Sequence, residues 1–233
     1  MRRWILFVCL ILISALGVLV PAAAQASTVV PGGQLTSGQA VTPTISTPGQ
    51  QIQYTFAATA GQHVTFQVTN FGVTDGGSGG TVYLMFYEPG VSPSSGNVYI
   101  YSAFSADNYY SFFTPVGGTW SVVLEPSGAS VGSLTLIFAD DVANTALTST
   151  VPVKTTIAIE GRFADYTFAA TAGKHVTFQV SSFGFLDGGS DGSAWLLFYE
   201  PGVSYNSGDE YTYCVFTANG YCTLTTPVGG TWS

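Results

Sequence analysis

Short stretches of alternating apolar and polar residues run through this chain. In residues 63–68, Val64, Phe66 and Val68 fall on one side, while His63, Thr65 and Gln67 fall on the other. That period of two marks a half-buried strand and puts His63 on its solvent face. The same period predicts strands over 51–57, 82–87, 98–103, 120–124 and 133–138. Between them lie Asp75-Gly76-Gly77-Ser78-Gly79-Gly80, Glu88-Pro89-Gly90, Pro93-Ser94-Ser95-Gly96 and Pro115-Val116-Gly117-Gly118, all rich in residues that turn the backbone. No segment carries apolar residues at helical spacing. Short strands punctuated in this way predict an all-β chain of antiparallel, jelly-roll-like β-sandwiches.

The pattern occurs twice. Residues 54–68 read YTFAATAGQHVTFQV and residues 166–180 read YTFAATAGKHVTFQV, so only Gln62 changes, to Lys174. The offset of 112 residues also carries Phe86-Tyr87-Glu88-Pro89-Gly90 onto Phe198-Tyr199-Glu200-Pro201-Gly202, and residues 114–120 onto 226–232. Gln34-Leu35-Thr36-Ser37 aligns with Ala146-Leu147-Thr148-Ser149, which predicts that a leading strand is repeated too. The period is too long for a solenoid unit and suits a domain. The expected division is one sandwich over 27–140 and a second over 141–233. The second stops before its equivalents of Val122-Val123-Leu124 and Leu134-Thr135-Leu136-Ile137-Phe138. It is therefore expected to be incomplete, with exposed apolar faces and strand edges, and the chain to be a fragment of a longer array.

Ahead of the repeats, Arg2 and Arg3 precede an uncharged apolar run over 4–20, followed by Pro21 and Ala22-Ala23-Ala24-Gln25-Ala26. This is the layout of a signal peptide over 1–26 with cleavage after Ala26. The run is close to a bilayer span in length, so a retained anchor is the alternative. No later segment approaches a membrane span. Beyond the leader, Lys154, Arg162 and Lys174 face thirteen acids. That balance speaks against nucleic acid and anionic membrane surfaces as partners. The expected address is secreted or cell-surface. Cys9 leaves with the leader, and Cys214 and Cys222 remain as a pair in an oxidising setting. They flank Ala218-Asn219-Gly220 and are expected to form a disulfide across a hairpin; Ser102 and Tyr110 occupy these positions in the first repeat.

The motifs Tyr-Thr-Phe-x-Ala-Thr-Ala-Gly-Gln-x-Val, Phe-Tyr-Glu-Pro-Gly and Thr-Pro-Val-Gly-Gly-Thr-Trp-Ser-Val-Val-Leu-Glu-Pro resemble the bacterial pre-peptidase C-terminal domain. The closest likeness is to tandem versions in secreted or cell-surface bacterial proteins, including those with RHS-type repeats. The resemblance covers nearly all of the chain after the leader. It implies small, non-catalytic jelly-roll sandwiches carried beside secreted enzymes or in surface arrays. The chain departs from that pattern in having no accompanying peptidase domain, an enlarged Gly-rich loop over 75–80 and an incomplete second repeat.

Candidate chemistry is sparse. His63 and His175 occupy equivalent positions, and no Gly-x-Ser-x-Gly, His-Glu-x-x-His or phosphate-binding loop accompanies them. Asp75 and Glu88, with copies Asp187 and Glu200, are the repeated acids; duplication of both points to a structural or binding role rather than a glycosidase pair. Calcium is the cation to consider. Asp75, and Asp187 with Asp191, sit in Gly-Ser loops able to offer oxygen ligands, against the alternative of plain acidic loops. Asp140-Asp141 is a second candidate, since some relatives in the resembled family bind calcium near such a linker. No other cofactor is expected. The tyrosines exceed what one small core accommodates. Tyr99 and Tyr101, with copies Tyr211 and Tyr213, are expected on one strand face as a ligand site, unless they merely cover apolar surface. The reading is a non-enzymatic spacer or adhesion module for extracellular polysaccharide or matrix protein. The alternative is a carbohydrate-binding module accessory to a secreted hydrolase.

Overall fold

A computed structural model describes residues 28–187 and 190–233. The leader over 1–26 lies outside the described residues. Alternation shapes the first repeat. On β2 (Gln51–Ala58), Ile52, Tyr54, Phe56 and Ala58 are buried, while Gln51, Gln53, Thr55 and Ala57 face away. One sheet runs in the order β1 (Val29–Gln34), β2, β7 (Gly118–Pro126), β4 (Val82–Tyr87), β5 (Ile100–Phe104). The other runs β6 (Asn108–Phe113), β3 (His63–Thr69), β8 (Thr135–Asp140), with Ala40–Val41 at its edge. The two sheets enclose one core.

Phe56 anchors that core across the layers. Its ring lies 5.0 Å from Phe66 of the opposite sheet, 5.0 Å from Phe138 and 6.1 Å from Trp120. All but Phe138 are fully buried. Trp120 spends its one polar atom on the Val116 carbonyl at 3.1 Å, so the indole closes one end without an unmet donor. Burying such side chains stabilises a fold by about 1.5–3 kcal/mol each.

The second repeat reproduces the design with β9 (Val142–Ala146), β10 (Ala164–Ala170) and β15 (Gly230–Trp232) in one sheet. Two further pairs are β11 (Lys174–Val180) with β14 (Gly220–Thr226), and β12 (Ala194–Phe198) with β13 (Thr212–Phe216). Phe168, Phe178, Phe198 and Trp232 repeat the core contacts.

Several details depart from the sequence reading. The leading strand is Val29–Gln34, ahead of the expected 34–37, and it pairs in parallel with β2, as β9 does with β10. Among the described residues these are the two parallel ladders, and the rest are antiparallel. β6 was not predicted, because Asn108-Tyr109-Tyr110-Ser111-Phe112-Phe113 is an aromatic run with no polar alternation. Cys214 and Cys222 are bonded, with Cα atoms 6.2 Å apart. They do not oppose each other in a hairpin ladder, however. Cys214 pairs with Leu196 in one layer and Cys222 with Phe178 in the other, so the bond joins the two layers of the sandwich.

Candidate functional site

Where the repeats meet, the outward face of β3 and β6 is covered. Phe113 lies opposite His63 in the ladder, and Tyr109 opposite Gln67. Onto this face comes the turn at Ile159-Glu160-Gly161-Arg162, closed by the Arg162 amide donating to the Ile159 carbonyl. Gly161 holds φ at +76°, and a Cβ there would fall 2.3 Å from Cδ2 of Tyr109. Both the left-handed backbone and the close approach require glycine. The Thr65 hydroxyl donates to the Gly161 carbonyl at 2.9 Å, locking the turn to the face.

His63 is therefore only 2% exposed, which corrects its expected place on a solvent face. Alternation states which residues share a side of a strand; it does not state what packs on that side. The imidazole is sandwiched between Phe163, stacked at 3.9 Å and 3°, and Phe113 at 5.0 Å. Its Nδ1 lies 2.8 Å from Oδ1 of Asp141, an oxygen that also accepts the Phe163 amide at 3.0 Å. A carboxylate orienting a histidine is two-thirds of a catalytic triad. Here the ring is closed beneath Phe163, and the arrangement is suited to holding the repeats together. His175, the copy of His63, is exposed, and its Nδ1 lies 2.9 Å from the Thr225 hydroxyl.

The surroundings are acidic. Asp140 bonds Ser37 and lies 3.6 Å from the Arg162 guanidinium, which also donates to the Asp140 carbonyl. Oδ2 of Asp141 is buried without a partner. Asp165, on β10, has its carboxyl pushed up to about 6, first by burial and then by the Asp141 carboxylate, with His63 opposing. Tyr205 packs edge-on to Phe113 at 5.4 Å. Its hydroxyl donates to the Gly61 carbonyl at 3.5 Å and is pushed up by burial and by Asp165 and Asp141, with the His63 main chain opposing.

The signal for this junction was present in the sequence as divergence between copies. Asp141, Arg162, Phe163, Asp165 and Tyr205 stand where the first repeat has Val29, Gln50, Gln51, Gln53 and Pro93. The copies also differ at many other positions over 29–53 and 69–112, so divergence alone does not single out the junction.

The aromatic candidates separate into two environments. Tyr99 and Tyr101, expected on one strand face, are both exposed, at 43% and 61%, but make different contacts. β5 begins only at Ile100, and the Tyr99 ring turns onto Trp120 at 5.4 Å and Phe112 at 6.2 Å. Tyr101 instead meets Tyr83 edge-on at 6.2 Å on the outer face of the sheet and is 61% exposed. The second repeat repeats the split. Tyr211 packs on Trp232 and donates to the Thr225 carbonyl, while Tyr213 stacks on Trp195 at 5.2 Å and 27°. Trp195 is 58% exposed and Tyr213 51%. With Leu197 and Val215 opposite them in the ladder, they make an uncharged platform.

Asp75 lies in the small Thr74–Asp75 and Ser78–Gly79 ladder, against Gly128. The side chains of Asp187 and Asp191 lie outside the described residues. Among the described residues no three His, Cys, Asp or Glu side chains group to hold a metal. Two open grooves, beside β1 and at 183–186, carry neither histidine nor carboxylate.

No family model matches the chain, and no curated protein matches it. Solved structures give three similarities. The first is a periplasmic inhibitor of g-type lysozyme from Aeromonas hydrophila, at TM-score 0.36 and 21% identity, over 49% of this chain and 96% of that one. The second is the pre-peptidase C-terminal domain of a Bacillus anthracis collagenase, at TM-score 0.35 and 13% identity, over 49% and 97%. The third is a surface-associated copper-binding protein of Methylomicrobium album, at TM-score 0.34 and 8% identity, over 48% and 100%.

Proposed function

We propose that the chain is an exported, non-catalytic pair of sandwiches of the pre-peptidase C-terminal type, serving as a stiff spacer or adhesion arm at the cell surface. The observation that carries this reading is the built junction. A flexible tether needs no buried histidine–carboxyl hydrogen bond, no stacked ring on its histidine and no glycine fitted beneath a tyrosine. Ordering these groups costs conformational entropy, which is offset only where the two units hold one relative position. A fixed spacing lets any surface contacts act together, because the effective concentration of the second contact is set by geometry.

Small-angle scattering on the chain after the leader tests this. A single compact arrangement is expected, and Phe163→Ala should broaden it. Scattering from the unsubstituted chain that requires a wide distribution of inter-repeat distances would refute the spacer.

The stacked, uncharged Trp195–Tyr213 pair favours a second reading, the carbohydrate-binding module, because exposed aromatic faces stack on sugar rings. Retention on insoluble polysaccharides, lost in a Trp195→Ala/Tyr213→Ala variant but kept in Tyr211→Ala, would support it. Equal retention by all three proteins would remove it.

A further inference from the structure

In the first repeat, the outward face of the sheet β1-β2-β7-β4-β5 carries tyrosines, bonded amides and a carboxylate. We propose that this face binds a neutral polysaccharide, with Tyr83 and Tyr101 stacking on sugar rings and Glu125 accepting from their hydroxyls. The ligand class rests on the carbohydrate reading above, but the residues are different ones, on the other repeat.

Strand register brings these groups together. Glu125 lies opposite Tyr83, while Val123 stands between Gln53 and Met85, with Tyr101 beyond Met85. The Gln51 amide donates to Oε2 of Glu125 at 2.8 Å, which fixes the carboxylate and leaves its other oxygen to accept from a ligand. Gln53 is fixed in the same way, donating to the Ser121 hydroxyl at 3.2 Å. Beyond Gln53 an open groove follows β1 and β2, lined by Pro31, Gln34 and Thr55 among others. With strands about 4.8 Å apart, the face from that groove to Tyr101 is about 19 Å across, which suits an extended polymer.

Tyrosine that merely covers apolar surface has a different look on this face. Tyr87 is 4% exposed, with its hydroxyl on Sδ of Met85, and Val123 is 2% exposed. Tyr101 instead stands out from the sheet and meets Tyr83 edge-on, which leaves ring surface open. An open ring beside fixed polar groups is the combination that holds and orients a sugar.

Charge selects a neutral polymer. Asp75, Glu88, Asp107, Glu125 and Asp140 are the acids of residues 27–140, which contain no Lys or Arg, so an anionic glycan is repelled. A basic protein segment is drawn by the same field. Glu125, however, is already bonded to an amide, and its neighbours are uncharged amides, hydroxyls and tyrosines, which match hydroxyl groups rather than cations.

Co-sedimentation of the full chain after the leader tests the proposal, with microcrystalline cellulose, insoluble mannan and chitin as neutral probes and carboxymethylcellulose resin as the anionic one. Retention on at least one neutral probe and none on the resin is expected, equal at low and high salt. Tyr101→Ala and Glu125→Gln should each weaken that retention about tenfold, as for one lost stacking contact or one lost charged hydrogen bond. Made in a Trp195→Ala/Tyr213→Ala background, they should weaken it by the same factor. Near-ultraviolet dichroism checks that each variant keeps its core, and should Tyr101→Ala fail to fold, Glu125→Gln decides. Retention that Trp195→Ala/Tyr213→Ala abolishes and that neither Tyr101→Ala nor Glu125→Gln changes overturns this site while leaving the second reading in place. No retention on any neutral probe overturns both. Binding to polylysine beads that Glu125→Gln removes, in place of the neutral probes, would make the face a seat for basic segments and overturn the proposal.

Discussion

His63 and His175 occupy one position in two nearly identical strands, so the same substitution at each isolates what the junction contributes. His63→Ala removes the imidazole from Asp141, whose side chain is 9% exposed, and leaves that carboxylate with the Phe163 amide on one oxygen and nothing on the other. Leaving a buried carboxylate oxygen without its ring partner costs about 1–3 kcal/mol. Loss of the Phe163 stack falls within that figure, at about 0.5–1.5 kcal/mol for an aromatic pair. His175→Ala deletes an exposed ring with one hydroxyl contact, and should change stability by less than about 0.5 kcal/mol. Urea unfolding followed by tryptophan fluorescence measures both. His63→Ala should move the midpoint of the first repeat well below that of the unsubstituted chain, and His175→Ala should leave both repeats in place. A double-mutant cycle with Asp141→Asn should return a coupling well above the spread of independent sites. Equal costs for the two histidine variants would refute the assignment of His63 to a buried contact with Asp141.

Three further outcomes follow from the geometry. Reducing Cys214–Cys222, which closes a separation of eight residues, should lower the stability of the second repeat by about 2.5 kcal/mol on chain-entropy grounds and leave the first unchanged; calorimetry with and without reductant reads this. Gly161→Ala forces a side chain into Tyr109 at a left-handed backbone position, so it should abolish hydrogen-exchange protection of the Phe163 amide while the near-ultraviolet dichroism of each core persists; retained protection would count against the docked turn. Calcium and EDTA should give the first repeat the same melting temperature, because Asp75 has no grouped carboxylates beside it among the described residues; a rise with calcium that Asp75→Asn removes would reinstate the cation.

The sandwich was legible because its signal is local. Ile52, Tyr54 and Phe56 on one strand, and Val64, Phe66 and Val68 on the next, declare their buried face through period alone. β6 was not legible, since six residues of which four are aromatic give no alternation to read. The junction was hidden for a different reason. His63 and His175 sit in identical HVTFQV segments, yet one is buried and the other exposed, because burial of that face is decided by residues about a hundred positions away. The cysteine pair shows the same limit. Its spacing across Ala218-Asn219-Gly220 is compatible with a hairpin ladder or with a chain that crosses between layers, and only the partners Leu196 and Phe178 distinguish these. For the aromatics, parity placed Tyr101 and Tyr213 correctly on an outer face, but it could not register that Tyr99 and Tyr211 precede their strands and turn onto tryptophans.

The parallel pairing of β1 with β2 also has a mechanical meaning. Its partners run in step from Val29 with Gln51 to Gln34 with Thr55, broken by one irregularity between Pro31 and Gly33. A pull on the chain along the axis of β1 loads that ladder in shear, so its bonds resist together and rupture together, whereas a strand peeled from one end unzips bond by bond. β9 repeats the arrangement against β10. Once the ladder ruptures, the residues behind it are free to extend. For 29–140 that amounts to roughly 380 Å of chain at the reach of an extended backbone. Under tension such a ladder holds up to a threshold, and the chain then lengthens in discrete steps.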